Sequence, residues 1–258
     1  MSARSTASAV ITFGLVSVPV KVYVSAEAKS ISMKLLTPDG NLIRQKNFDA
    51  VTDQEVQYAD LDKGYEHTKD EYVRFTKDEL KALEGENTKT MDISEFVDLT
   101  ELNPVGTEKS FYLGADKGGH RAYRLLAETL RGMGKAAIAR WTSRGRDHVL
   151  AIRAHKEGNE IGLIAQQLFF QNEIRPFDEI SGAKMDLSDA ERAAAAHLVQ
   201  ALSSPKLDMS KYSDGYTQRV LDAVDRKLQG VAAPEIAVPA PKANVMDLLA
   251  ALKASIKQ

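Results

Sequence analysis

Val16, Val18, Val20, Val22 and Val24 occupy every second position of one short stretch near the start of the chain. A period of two is that of a half-buried strand, and it commits this part of the chain to a sheet. A secretory leader competes for the same residues. Arg4 precedes an apolar stretch over 9–20, and Val24-Ser25-Ala26 resembles a signal-peptidase site. Gly14, Ser17, Pro19 and Lys21 interrupt that stretch or its end, so the strand is the preferred reading.

More strands follow. The segments 9–24, 72–75, 91–99, 111–113 and 161–170 read as strands. Two others, 137–141 and 149–154, form a hairpin whose turn, Ser-Arg-Gly-Arg-Asp, presents Arg144 and Arg146 at its tip. A helix is expected from Asp116, with Lys117, Arg121, Arg124 and Arg131 on one face and Tyr123, Leu126, Ala127 and Leu130 on the other. After Lys184 the pattern turns helical. Ser188-x-x-Glu191 is a capping box opening an Ala-rich helix to about Leu202. A second helix, 213–228, carries Val220, Val224 and Leu228 on one stripe and ends at Gly230.

Residues 231–242 hold three of the eight prolines and almost no charge, marking a semi-extended linker. Beyond it, Val245, Leu248, Leu249, Leu252 and Ile256 stripe a last short helix. Asn244 caps it, Asp247 favours its start, and Lys253 and Lys257 favour its end. So short a helix is marginal alone. It needs a surface, either on its own domain or in the groove of another protein.

Charge is placed unevenly. Between Lys117 and Arg153 there are nine Lys/Arg against Glu128 and Asp147, inside a chain of net charge −2. Residues 1–48 carry six bases and two acids (+4), 49–110 seven bases and seventeen acids (−10), and 111–175 eleven bases and six acids (+5). Such blocks are distinct surfaces on one body, either a solvated helix face with an Arg-bearing turn or a field that attracts a polyanion.

Composition excludes several chemistries. The chain of 258 residues, 43% hydrophobic and 27% charged, is ordinary for a globular protein with a full core. With no cysteine it has no disulfide or thiolate metal site, which fits a reducing cytoplasm. No apolar run approaches the roughly 20 residues of a membrane span, so no membrane partner is expected. Gly114-Ala-Asp-Lys-Gly-Gly119 begins like a P-loop, but His120-Arg121 stands where Lys-Ser/Thr is required. A glycine-rich helix N-terminus able to hold one backbone phosphate remains. The histidines show no metal spacing, and no Gly-x-Ser-x-Gly elbow occurs. A metal-dependent nuclease would use Pro38-Asp39 with Glu79-Leu80-Lys81. Thr76-x-x-Glu79, however, is also a capping box, which explains Glu79 as a helix start.

Several motifs occur in one order along most of the chain: Phe13-Gly-Leu-Val-Ser-Val-Pro-Val-Lys-Val-Tyr23, Lys63-Gly-Tyr-Glu66, Glu95-Phe-Val-Asp98, Phe111-Tyr-Leu113 followed by Asp116-Lys117, and Ile138-Ala-Arg140. Asn172-Glu-Ile-Arg175, Tyr212-x-Asp-x-Tyr216, Lys227-Leu-x-Gly230 and Asp247-Leu-Leu-x-x-Leu-Lys-Ala-Ser255 continue the series. Together they resemble the bacterial Ku proteins. The resemblance implies an α+β fold: a β-barrel core with a DNA-encircling bridge (1–184), a helical C-terminal arm (185–230), the Pro-rich linker (231–242) and a short tethered helix (243–258). Many relatives carry a Cys-rich, zinc-ribbon-like insertion between Leu36 and Tyr58. Here that region holds no cysteine, so neither metal nor any other cofactor is expected. Many also end in a Lys-rich extension, whereas this sequence stops at Gln258, and the resemblance implies a minimal form.

The function implied is non-catalytic. A homodimeric ring would thread onto double-stranded DNA ends and hold them for an ATP-dependent DNA ligase in non-homologous end joining, in the cytoplasm and associated with the nucleoid. Arg144, Arg146, Lys117 and Arg121 are the leading phosphate ligands; Arg4, Lys21, Arg44, Lys46 and Arg140 come next, Arg140 being equally suited to a barrel salt bridge. Val245, Asp247, Leu248, Leu249 and Leu252 would meet the ligase. A nuclease would instead require divalent metal, and a sequence-specific regulator would need a base-reading helix or ribbon.

Overall fold

The computed structural model describes residues 4–180 and 186–231. They fall into two units, one of residues up to Lys29 with Met33–Pro176, the other of Ser30–Ser32 with the chain from Phe177. No helix among the described residues is long and apolar enough to cross a membrane.

The first unit opens with β1 (Ala7–Phe13) and β2 (Val16–Val24). The expected single strand over 9–24 is therefore a hairpin, bent at Gly14-Leu15 so that Phe13 pairs with Val16. The valine alternation holds within β2: Val18, Val20 and Val22 are buried, while Val16 and Val24 at its ends are exposed. A long insertion follows, with β3 (Asn47–Phe48), β4 (Glu55–Val56), β5 (Lys63–Thr68), β6 (Glu71–Phe75) and α1 (Lys77–Leu83). Its strands form two separate two-stranded ribbons. It leaves Leu35, Leu42, Phe48, Tyr58, Tyr65 and Tyr72 exposed.

The chain then returns through β7 (Thr90–Asp98), β8 (Thr107–Ala115), α2 (His120–Met133), β9 (Lys135–Ser143), β10 (Arg146–Glu157) and β11 (Glu160–Leu168). The sheet closes into a barrel in the order β1-β2-β8-β11-β10-β9-β7. Every pairing is antiparallel except the closing one, β1 with β7, which is parallel over Val10↔Thr90, Ile11↔Met91 and Thr12↔Asp92. Closure leaves this sheet without a free edge.

Alternate residues fill the barrel. Ile11, Met91, Leu150, Ile152 and Leu163 are fully buried with the valines of β2, and each such side chain contributes about 1.5–3 kcal/mol through burial. Leu126, Ala127 and Leu130 of α2 join the same core, as the sequence periodicity requires. The Tyr123 hydroxyl fixes the helix: it donates to the Leu113 carbonyl at 2.5 Å and accepts from the Leu163 amide at 2.8 Å. Because β8 runs into α2, the helix packs at the barrel end where β8 finishes. The β9–β10 turn lies at the opposite end, about 26 Å away along the eight residue steps of β9.

The second unit contains α3 (Asp189–Leu202) and α4 (Gly215–Leu228). The Ser188/Glu191 capping box is formed in full. Asp214, rather than Ser213, caps α4 by accepting from the Tyr216 and Thr217 amides. Neither helix contains a buried residue. The expected helix over 243–258, with Val245, Asp247, Leu248, Leu249 and Leu252, lies outside the described residues.

Candidate nucleic-acid interface

The β9–β10 connection is a two-residue turn, with Ser143 paired to Arg146. Arg144 has φ 53° and Gly145 φ 74°, the pair of positive values that a type I′ hairpin turn requires. Arginine is an uncommon choice for the first position, since the left-handed conformation costs an L-residue about 1–2 kcal/mol. Gly145 is fixed twice over, because an added Cβ would also meet Glu84 side-chain atoms at 2.6–2.8 Å.

The tip is braced from outside the hairpin. Gly145 donates its N–H to the Asn87 side chain at 2.9 Å, and its carbonyl accepts from the Gly85 amide at 3.1 Å. Thr142 donates to Asp147 at 2.6 Å across the turn. Arg144 and Arg146 are exposed and form no ion pair within 4 Å among the described residues. Arg4 belongs to this end as well: two residues on, the Thr6 amide donates to the carbonyl of Val22, which is paired with Ala7. Sequence reasoning missed Lys109, which joins them at the start of β8 with its Nζ 5.9 Å from the Phe111 ring centroid. Its two-residue spacing from Phe111 and Leu113 could have found it, but it sits inside the acidic block.

Lys117 and Arg121 lie at the other end of the barrel. Lys117 is not on the helix. Gly118 turns left-handed at φ 80°, so α2 begins only at His120, with Gly119 as its N-cap. Arg121 is exposed on the first turn. The helix N-terminus already has an anion nearby. Asp116 accepts from the Lys117 amide at 2.8 Å and faces the Lys21 ammonium at 3.6 Å. The Lys117 N–H, and after it the Lys21 charge, hold its carboxyl below the ordinary range. Lys21 is thus partly neutralised, and Lys46 is paired with Glu55 at 2.6 Å. Arg44 is exposed in the insertion. Arg140 is exposed on β9 in register with Asp92, yet it forms no ion pair within 4 Å among the described residues. The structure therefore gathers Arg4, Arg144 and Arg146 and separates them from Lys117 and Arg121.

Glu79 of the nuclease-like set is taken up by the cap of α1. The Glu79 carboxylate accepts from the Thr76 amide at 2.8 Å and the Thr76 hydroxyl at 2.9 Å. These bonds complete the cap of α1 and hold the Glu79 carboxyl below its ordinary range. Among the described residues, no three His, Asp or Glu side chains are grouped to hold a metal ion.

A family model described as the Ku70/Ku80 beta-barrel domain matches residues 12–197. A Paraburkholderia phymatum protein named non-homologous end joining protein Ku is 35% identical over all of this chain and 84% of its own length. Proteins of the same name from Heliobacterium modesticaldum and Archaeoglobus fulgidus are each 32% identical, over 100% and 98% of this chain and 93% and 98% of their own lengths. That match runs from the end of β1 through the rest of the barrel into α3, and the likeness to these relatives covers the second unit as well. The chain belongs to the Ku family.

Proposed function

We propose that this protein binds the ends of double-stranded DNA in non-homologous end joining, as a homodimeric ring without catalytic activity, and presents them to an ATP-dependent DNA ligase. The observation that carries the reading is the set of exposed arginines that form no ion pair among the described residues on a barrel of this family, Arg144 foremost, held in a conformation that an uncharged Asn or Gly would adopt more readily. Guanidinium groups without base-reading partners recognise phosphate, so binding is independent of sequence. Arg144, Arg146 and Arg4 serve one end of the barrel and Lys117 and Arg121 the other, with Arg140 between them and Lys21, Arg44 and Lys46 as weaker contributors. The about 26 Å length of β9 is less than one turn of duplex, about 34 Å, so a single duplex lying along the barrel wall is long enough to reach both ends.

Two uncovered apolar surfaces support the dimer. The insertion between β2 and β7 exposes Leu35, Phe48 and Tyr65, and α3 and α4 expose Val199, Leu202, Val224 and Leu228. A second copy provides cover for such surfaces, and two-fold pairing doubles every basic contact. The ligase contact falls to the tail, through Val245, Asp247, Leu248, Leu249 and Leu252.

A closed ring loads only at an end. Stable complexes are expected on linear duplex and few on covalently closed circles, with protein trapped by circularisation surviving high salt. Equal retention on circles that never had ends would overturn the ring. DNA shortening in magnesium would favour the nuclease instead.

A further inference from the structure

The two ends of the barrel are finished differently. At one, Leu126, Ala127 and Leu130 of α2 complete the core. At the other the strands surround an open cavity of about 860 Å³, within the about 300–1,000 Å³ of small-molecule sites. Its wall is aromatic. Trp141 meets Phe111 edge-on at 6.4 Å and His148 at 6.2 Å, and Phe169 and Phe170 stand half-exposed at the opening. Arg144 and Arg146 form part of its rim.

Charge in the cavity is sorted as well. Each acid in it is engaged: Glu108 accepts from Gln167 at 2.5 Å and faces Lys109 at 3.4 Å, Asp147 accepts from Thr142, and Glu173 accepts from the Phe170 amide at 2.7 Å. Arg144 and Arg146 form no ion pair among the described residues. The half-exposed rings of Phe169 and Phe170 beside these two guanidinium groups suit a ligand with a flat ring and a phosphate. Bases stack on aromatic faces whatever their identity, and arginine takes phosphate through paired N–H bonds.

We infer that the open mouth of the barrel is a nucleotide site, which seats one unpaired base against Phe169 and Phe170, above the buried Trp141, and its phosphate on Arg144 and Arg146. The inference rests on the DNA-end reading and deepens it. A ring that holds broken ends meets frayed and overhanging strands, and this mouth takes the nucleotide that has lost its pairing partner. The same chemistry is offered by a free nucleoside monophosphate, and the test separates the two sources.

Trp141 is the only tryptophan in the chain, so its emission reports on the cavity alone. The full-length protein is titrated with a blunt duplex, with the same duplex bearing a short unpaired tail, and with dAMP, while a mobility shift records duplex binding separately. The tailed duplex is expected to quench Trp141 saturably and the blunt duplex to leave it unchanged. Free dAMP should need at least about tenfold higher concentration, because it lacks the duplex as a tether. Half-saturation by dAMP at the same concentration as the tail would instead make free nucleotide the natural ligand of the site. Replacing Arg144 and Arg146 together by alanine should raise the half-saturation point for dAMP about tenfold, and Phe169→Ala should raise it as well. Tailed and blunt duplexes that both bind with identical Trp141 emission, together with no quenching by dAMP, would overturn the inference and leave the DNA-end reading standing. Failure of both duplexes to bind would overturn that reading instead, with the dAMP titration still deciding whether the cavity takes a nucleotide.

Discussion

The amide of Gly145 is held by the side chain of Asn87, 58 residues earlier in the chain. The tip that carries Arg144 is thereby set by a contact from the returning end of the insertion and not by the hairpin alone. Gly145→Ala should cost about 1–3 kcal/mol, through its left-handed backbone and its collision with Glu84. Arg144→Asn should leave the melting temperature unchanged or higher, since Asn suits the turn, while DNA affinity falls. Thermal melts paired with DNA titrations check both. A destabilised Arg144→Asn protein would show that the guanidinium serves the fold.

Affinity for duplex ends should fall steeply with salt, with a log–log slope of about −0.9 per phosphate neutralised. Arg144→Ala and Arg146→Ala should each reduce that slope by about one and weaken all sequences alike. A double variant that keeps the original slope would remove the hairpin tip from the duplex interface.

Asp116 offers a test at the other end of the barrel. Its carboxyl titrates below the ordinary aspartate value of about 3.9. Its ion pair with Lys21 is therefore complete above that value and is lost only as pH falls through the lowered one, so substitution is the way to break it at neutral pH. Asp116→Asn should release Lys21 and strengthen DNA binding about two- to fivefold, the scale of an exposed ion pair. Unchanged affinity and salt slope would mean that the start of α2 faces away from DNA.

For the tail, the Pro-rich segment 231–242 should let the helix expected over 245–256 reach a ligase while the barrel holds DNA. Leu249→Asp puts a charge at the centre of its apolar stripe, which costs several kcal/mol in a closed groove if unpaired. DNA binding and dimerisation should survive, and stimulation of joining by the cognate ligase should drop. Loss of folding would show that the helix docks on its own core, and unimpaired joining would exclude Leu249 from the contact.

Much of this was readable from local pattern. The valine alternation of β2, both capping boxes, the apolar stripe of α2 and the Arg-bearing hairpin each depend on residues close in sequence, and each formed where its spacing placed it. The misplacements have local causes too: Gly14, which breaks the apolar stretch, turns the chain back on itself with Leu15, and a left-handed Gly118 keeps Lys117 off the helix. The brace of Asn87 and Gly85 on Gly145, the cavity around Trp141 and the separation of Lys117 from Arg144 arise from strand order in a closed sheet. No periodicity encodes that order.

A ring of seven strands cannot alternate direction all the way round, so one neighbouring pair must run the same way. Here that obligation falls on β1 and β7, which meet over three register pairs, whereas β10 and β11 meet over nine. Parallel pairing is slightly weaker per residue, so the seam is the barrel's point of least resistance. The insertion leaves the barrel after β2, the hairpin partner of β1, and re-enters it as β7. Its two roots thus flank the seam, and any load that the insertion bears is delivered to the place where the barrel parts first.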